Sequence, residues 1–249
     1  MPAFPQPVRL KKNPTMKRLF ACFLLAAGVM LLSVASYGQT VITSVPYAIN
    51  NPGIYVLNTD LAYAGSGTAI AINSHDVTLD FQGHLLYSTS TTGTPAIGVG
   101  FSANEQNVTI KNGTLSAFNT AINIPGGIGQ VVEGMRIESY FPFGQSGPSG
   151  PNGIIIMDGS GCLIDNNYLY TCWIAINDSN SSDQISRNRI FNCSQLGILV
   201  AGDSYLEGNF VSHCQGGISC TGGAKLRFNT TEDCTYPFSG GTLITDGNN

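Results

Sequence analysis

The chain of 249 residues is 43% hydrophobic and only 10% charged, with 30 Gly, 12 Pro, a single Trp and a formal net charge of -4. An average domain carries about 25% charged residues, so a folded chain of this kind faces water through Asn, Ser, Thr and Gly, which few helices do. The composition excludes a disordered polymer, a coiled coil and a basic nucleic-acid binder.

Residues 1–38 read as a leader rather than as part of the fold. Arg9, Lys11, Lys12, Lys17 and Arg18 precede an apolar run from Leu19 to Ala35, and small residues follow up to Gly38. This is the pattern of a secretory signal peptide, with Met16 as a candidate start. The run of 17 residues falls short of the roughly 20 that a bilayer span needs, and an uncleaved anchor is the alternative. The leader holds five of the eleven basic residues and none of the fifteen acidic ones, so residues 39–249 carry six basic against fifteen acidic residues, a net charge of -9. Such a charge argues against DNA and other polyanions as partners and fits a neutral ligand or a cation. The expected location is secreted, periplasmic or cell surface, with no membrane association once the leader is cleaved.

Residues 39–249 are predicted to form a single domain, opened by Val41 to Leu61 folding over its first coil. Beyond it, a small residue followed by alternating apolar positions recurs at Ala69–Ile72, Ala96–Val99, Ala121–Ile124, Gly153–Ile156, Ala175–Ile176, Gly197–Val200, Gly217–Cys220 and Pro237–Phe238. Period two means strand. The phase places Ile70, Ile97, Ile122, Ile154, Ile176, Ile198 and Ile218 in one inward column. Between these segments a second pattern repeats without gaps in Ile164–Cys172, Ile185–Cys193, Leu206–Cys214 and Leu226–Cys234, each with Asn at the fourth position. Weaker copies start at Leu79, Ile110 and Val132. A step of about 21 residues holding three short strands, each stacked about 4.8 Å from its copy, predicts an all-β fold: a parallel β-solenoid of about eight coils.

These residues, together with Pro52–Leu57 and Val77–Gly83 before them, resemble the right-handed parallel β-helix repeat proteins of the pectate-lyase-like superfamily. The resemblance runs from about Val41 to the C-terminus. It implies the right-handed fold, but not an activity, because the scaffold carries lyases, hydrolases, epimerases, adhesins and plain binders alike. In the lyases and polygalacturonases of that superfamily, acid/base groups or calcium-binding carboxylates stand on the outward face of the strand carrying the small-then-apolar pattern. Here those positions read Ala71, Gly98, Asn123, Ile155, Asn177, Leu199, Ser219 and Ser239. None ionises near neutral pH, whereas general acid/base catalysis needs a titratable group at the moving proton.

The Asn column at 167, 188, 209 and 229 is expected to be structural, with Asn tolerating left-handed backbone and its amides forming a ladder between coils. Cys162, Cys172, Cys193, Cys214, Cys220 and Cys234 fall at inward positions. They read as buried thiols, with disulfides between coils as the alternative. No spacing among them suggests zinc.

Three further sets of residues are candidates for function. Arg136, Glu138, Arg189 and His213 lie on an outward surface beyond the Asn turn, where an atypical lyase base is one reading and a solvated charged face the other. Asp158, Asp178, Asp183 and Asp203 occupy neighbouring corners and offer oxygen ligands for calcium, with Asx-rich turns as the bland reading; no other cofactor is expected. The interruption at residues 139–152 carries Tyr140, Phe141 and Phe143, and corners of later coils carry Trp173 and Tyr236. With Asn123 and Asn177 these aromatics suit sugar rings, whose apolar faces stack while amides bond the hydroxyls; simple cover of the helix flank is the alternative. The resulting expectation is an exported, non-catalytic carbohydrate-binding or surface-interaction module recognising a polysaccharide or cell-surface glycan. The alternative is a polysaccharide lyase, hydrolase or epimerase with a degenerate site. Self-association through the C-terminal coil is expected, because that end shows no capping segment.

Overall fold

A pattern that repeats every 20 or 21 residues buries its apolar face only against the next copy of itself, and the chain is coiled accordingly. The computed structural model describes residues 38–89, 97–102, 105–139, 150–179 and 182–240, all within one compact unit, Gly38–Asn249; residues 1–37, expected to be a leader, lie outside them. Among the described residues there is no helix, and none long and apolar enough to cross a membrane. Each regular coil holds three strands, as in Leu163–Asp165, Tyr168–Tyr170 and Ile174–Asp178. All pairings are parallel. One face is a nine-stranded sheet running from Tyr47–Ile49 to Tyr236–Ser239, and the other two faces join in a 15-stranded sheet. Leu163, Gln184, Tyr205 and Lys225 stand in register along the second face, so the gapless sequence repeat is also the structural one.

The inward column holds Ile70, Val99, Ile122, Ile154, Ile176, Ile198 and Ile218, each at most 1% exposed. One member differs from expectation. Ile97 pairs with Thr68 and Thr120, two residues out of the expected register, and Val99 takes its place. The reason is steric. The position before each column residue abuts the main chain of the next coil. A Cβ on Gly98 would come 2.6 Å from the Ala121 carbonyl oxygen, one on Gly153 2.3 Å from that of Ala175, and one on Gly217 2.3 Å from that of Pro237. Gly98 therefore fills the small-residue column between Ala69 and Ala121. A two-residue shift preserves the inward parity of the strand, and the outward position in this coil becomes Gly100 instead of Gly98.

The Asn ladder forms as expected, but not through left-handed Asn. The left-handed residue is the one before it: Asn166, Arg187, Gly208 and Phe228, with φ of 52°, 54°, 65° and 52°. That turn leaves the next side chain inside. Nδ2 of Asn167, Asn188 and Asn209 donates to Oδ1 of the Asn one coil on at 3.0, 3.0 and 2.9 Å. The same oxygen accepts a main-chain N–H. A second left-handed row, Thr171, Asn192, His213 and Asp233, precedes the Cys column in the same way. Cys162, Cys172, Cys193, Cys214 and Cys220 are buried, Cys234 is half-buried in the last described coil, and all six are free thiols. The N-terminal segment does not fold over the first coil but starts one: Thr40–Ile42 pairs with Tyr55–Leu57, and Tyr47–Ile49 with Ile70–Ile72.

Candidate functional site

The outward face of the nine-stranded sheet presents Ala71, Gly100, Asn123, Ile155, Asn177, Leu199, Ser219 and Ser239 in one register. Asn123 and Asn177 flank Ile155, and the Asn177 amide oxygen accepts from Ser179 Oγ at 3.3 Å. Nothing in this row can exchange a proton with a substrate near neutral pH.

The aromatic residues expected to line one groove are not gathered by the described coils. Tyr140, Phe141 and Phe143 lie outside the described residues. Trp173 lies over Gly150, where an added Cβ would meet its side chain at 2.6 Å. Tyr236 is 62% exposed and stands in the column of Ile174, Leu196 and Gly216, three strand steps or about 14 Å along the axis from Trp173's coil.

A different aromatic surface does assemble, on the third face. Its outward rows are Arg136, Tyr168, Arg189, Phe210 and Thr230, and beside them Glu138, Tyr170, Phe191, Ser212 and Glu232. Phe191 leans across the rows. Its ring lies 5.3 Å from that of Tyr168 and 5.6 Å from that of Phe210, tilted by 32° and 47°. All three rings are half-exposed. The Arg136 guanidinium caps the strip, 4.9 Å from the Tyr168 ring centroid, and is tied down by Glu138 through Nε at 2.6 Å. Arg189, in the same row between Tyr168 and Phe210, is exposed and has no ion-pair partner among the described residues. The sequence pattern showed these rows as charged columns. It missed the ring contacts, because Tyr168, Phe191 and Phe210 are some twenty residues apart and two of them lie in one row, the third in the next.

Of the four catalytic candidates, Arg136, Glu138 and His213 have charged neighbours, whereas Arg189 has no ion-pair partner among the described residues. Arg136 and Glu138 neutralise each other. His213 contacts Ser212 Oγ through Nδ1 at 2.6 Å and Asp233 through Nε2 at 3.5 Å, but Ser212 is only 1% exposed, so that hydroxyl is shielded from any dissolved substrate. A further ion pair, of buried Asp165 with exposed Arg187, closes the adjacent corner. Arg187 Nε donates to Asp165 Oδ1 at 2.8 Å, its Nη2 to Oδ2, and Ser186 Oγ to Oδ1 at 2.8 Å. The guanidinium hydrogen bond holds the Asp165 carboxyl below the usual carboxylate range.

Of the four corner aspartates, Asp158 and Asp203 are exposed and separate, and Asp203 accepts the Gly223 main-chain N–H at 3.2 Å. Asp178 and Asp183 are 0% and 3% exposed. Contrary to the loop reading, Asp178 is the last residue of a strand and points inward. Ser204 Oγ donates to its Oδ2 at 2.5 Å and accepts the Asp183 main-chain N–H at 3.0 Å. Asp183 Oδ1 accepts from Cys162 N at 2.8 Å. Burial, reinforced by these two carboxylates, pushes the Cys162 thiol up to about 12. Among the described residues no three His, Cys, Asp or Glu side chains converge as a ready-made metal centre.

Residues 97–249 match the profile of the right-handed beta helix region family. Compared by sequence with characterised proteins, the chain has no match. Among solved structures it is similar to the catalytic domain of a GH87 alpha-1,3-glucanase in complex with nigerose, at 12% identity and a TM-score of 0.39 over 86% of this chain and 63% of that domain. A substituted form of the domain, in complex with tetrasaccharides, gives the same values. The chain thus spans less than two thirds of those domains. Three-stranded parallel coils in constant register and a family match over more than half the sequence lead to one assignment: the chain belongs to the right-handed β-helix family.

Proposed function

We propose that the protein is an exported, non-catalytic polysaccharide-binding module whose ligand lies along the strip Tyr168, Phe191 and Phe210, beside Arg189. The observation that carries this reading is the strip of three half-exposed rings, with Phe191 touching both Tyr168 and Phe210, beside the Arg189 guanidinium, which has no ion-pair partner among the described residues. Ring faces take the apolar faces of sugars, and a guanidinium offers five donors to hydroxyl oxygens. The net charge of -9 beyond the leader favours a neutral glycan over an acidic one. The segment bearing Tyr140, Phe141 and Phe143 follows in sequence on the strand that ends at Glu138. The basic-then-apolar leader supports export, which makes a cell-surface or extracellular glycan the ligand class. The lack of ionisable groups on the outward row of the nine-stranded sheet supports binding without turnover.

The test is affinity electrophoresis or calorimetry of the purified protein against a panel of neutral and acidic polysaccharides, with product analysis of each mixture. Retention by a neutral glycan without new reducing or unsaturated ends is the expected result, weakened about tenfold or more by Tyr168→Ala or Arg189→Ala, in line with the loss of one aromatic or guanidinium anchor. Product release that depends on Arg189, Glu138 or His213 would establish the enzymatic alternative. Binding indifferent to both substitutions would remove the strip from the site.

A further inference from the structure

Cys172, Cys193, Cys214 and Cys234 follow one another along the solenoid, each behind a left-handed residue, but their corners are not equivalent. Before Cys172 and Cys193 the paired strands are offset by 21 residues, Tyr170 on Phe191, and after them by 22, Ile174 on Leu196. Around Cys193 and Cys214 the offset falls from 21, Phe191 on Ser212, to 20, Leu196 on Gly216. Around Cys214 and Cys234 alone it is the same on both sides: Ser212 on Glu232 and Gly216 on Tyr236, 20 residues each time. These two corners therefore superpose residue for residue, which sets the two Cα atoms one strand spacing apart, about 4.8 Å. A disulfide bridges Cα atoms about 4.4–6.8 Å apart.

The contacts of the two corners match as well. Cys214 Sγ donates to the Ser212 carbonyl and Cys234 Sγ to the Glu232 carbonyl, both at 3.4 Å. His213 Nε2 reaches Asp233 Oδ2 at 3.5 Å across the same gap, and the two thiols hydrogen-bond to each other. Side chains stacked in register start about one strand spacing apart at Cβ, whereas a disulfide needs about 3.8 Å, so one corner has to yield by about 1 Å. Cys193 has a cysteine corner on either side. Cys234 is half-buried, and its strands pair on one side alone among the described residues, so its corner is the one free to yield. The Cys193 thiol and, at 3.3 Å, the Cys193 main-chain N–H hydrogen-bond to Cys214 and lower its thiol against the effect of burial, while burial raises that of Cys234.

We propose that Cys214 and Cys234 form a redox-modification site, closed by a small external disulfide into a bond that locks the last described coil onto its neighbour. Cys234, the more exposed of the two, attacks the S–S bond of the reagent and takes one half as a mixed disulfide, releasing the other half as a thiol. Cys214, the more readily ionised, then attacks Cys234 Sγ and expels the second half. Two protein thiols are oxidised, one external disulfide is reduced to two thiols, and the two protons leave on them. Buried Cys162, Cys172, Cys193 and Cys220 stay reduced. The geometry carries this inference, which does not rest on the glycan reading.

The experiment equilibrates the full reduced chain at pH 7.5, without oxygen, in mixtures of reduced and oxidised glutathione. The samples are quenched with acid, denatured, alkylated and mapped by peptide mass spectrometry. One disulfide per chain, Cys214–Cys234, with the other four cysteines alkylated, is the expected result, and the oxidised chain should melt about 5 °C or more above the reduced one. Cys214→Ser should stop the reaction at a glutathione adduct on Cys234, and Cys234→Ser should give neither adduct nor bridge. Mapping of the unmodified chain decides even if a variant fails to fold. No bridge in fully oxidised glutathione, a bridge through Cys193 or between chains, or a Tm that does not rise on oxidation would overturn the site. A folded Cys214→Ser chain without an adduct on Cys234 would overturn it as well.

Discussion

Replacing Asn188 by Ala tests whether the asparagine column holds the coils together. Asn188 is fully buried and serves three neighbours. Its Oδ1 accepts the main-chain N–H and the Nδ2 of Asn167, both at 3.0 Å. Its Nδ2 donates to the Ile164 carbonyl at 2.9 Å and to Asn209 Oδ1 at 3.0 Å. After truncation Asn167 Nδ2 still reaches the Val132 carbonyl, and Asn209 Oδ1 still receives the main-chain N–H of residue 188. The Asn167 N–H and the Ile164 carbonyl lose these partners in the interior. At about 1–3 kcal/mol for each of these two unsatisfied groups, the loss is about 2–6 kcal/mol, against a total stability of about 5–15 kcal/mol. A chain of this size loses about 2–4 °C of Tm per kcal/mol, so circular dichroism should show a fall of about 4–24 °C and a lower urea midpoint. Asn209→Ala, with equivalent bonds to Asn188, Asn229 and Ile185, should match it. Glycan binding below the new Tm should be unchanged. Melting within about 1 °C of the unmodified chain would refute the ladder as a stabilising device, and lost binding with unchanged melting would make the column a ligand site.

Other consequences follow from particular contacts. Because Arg187 depresses the folded-state carboxyl of Asp165, this pair stabilises the fold at pH above the unfolded Asp value of about 3.9 and ceases to do so as pH falls through the lower folded value. Arg187→Gln should therefore flatten the loss of stability below about pH 4 in a urea-midpoint series, and an unaltered acid limb would contradict the pairing. Labelling with a thiol reagent should be quickest at half-buried Cys234, while burial keeps Cys162 and Cys220 slow and their thiols up at about 12 and about 11; missing thiols after non-reducing denaturation would mean that disulfides join the coils. The strands Lys225–Arg227, Thr230–Glu232 and Tyr236–Ser239 have no further partner among the described residues, and Phe228 and Tyr236 are exposed beside them. Concentration-dependent association through that edge is expected in sedimentation, weakened by a Lys at Tyr236, and a strict monomer at high concentration would dismiss it.

Much of this molecule is local enough to be written in its sequence. A constant 20- or 21-residue step and strands of period two determine coil and face, because in a solenoid each coil meets only its neighbours. Ile164, Ile185, Leu206 and Leu226 could be aligned without any knowledge of space. The exception, Ile97, shows where that stops: period two is satisfied equally by shifts of two, and only the stacking of Val99 on Ile70 and Ile122 shows which is taken. The functional surfaces were decided later still. The contacts of Phe191 with Tyr168 and Phe210 depend on side-chain tilt across two rows. Asp178 and Asp203 look alike as corner aspartates, yet one ends a strand inside an apolar column and the other stands in water. Period and residue size act along the chain and can be read there, whereas ring contacts and carboxylate burial depend on distances between coils, which only the folded stack sets.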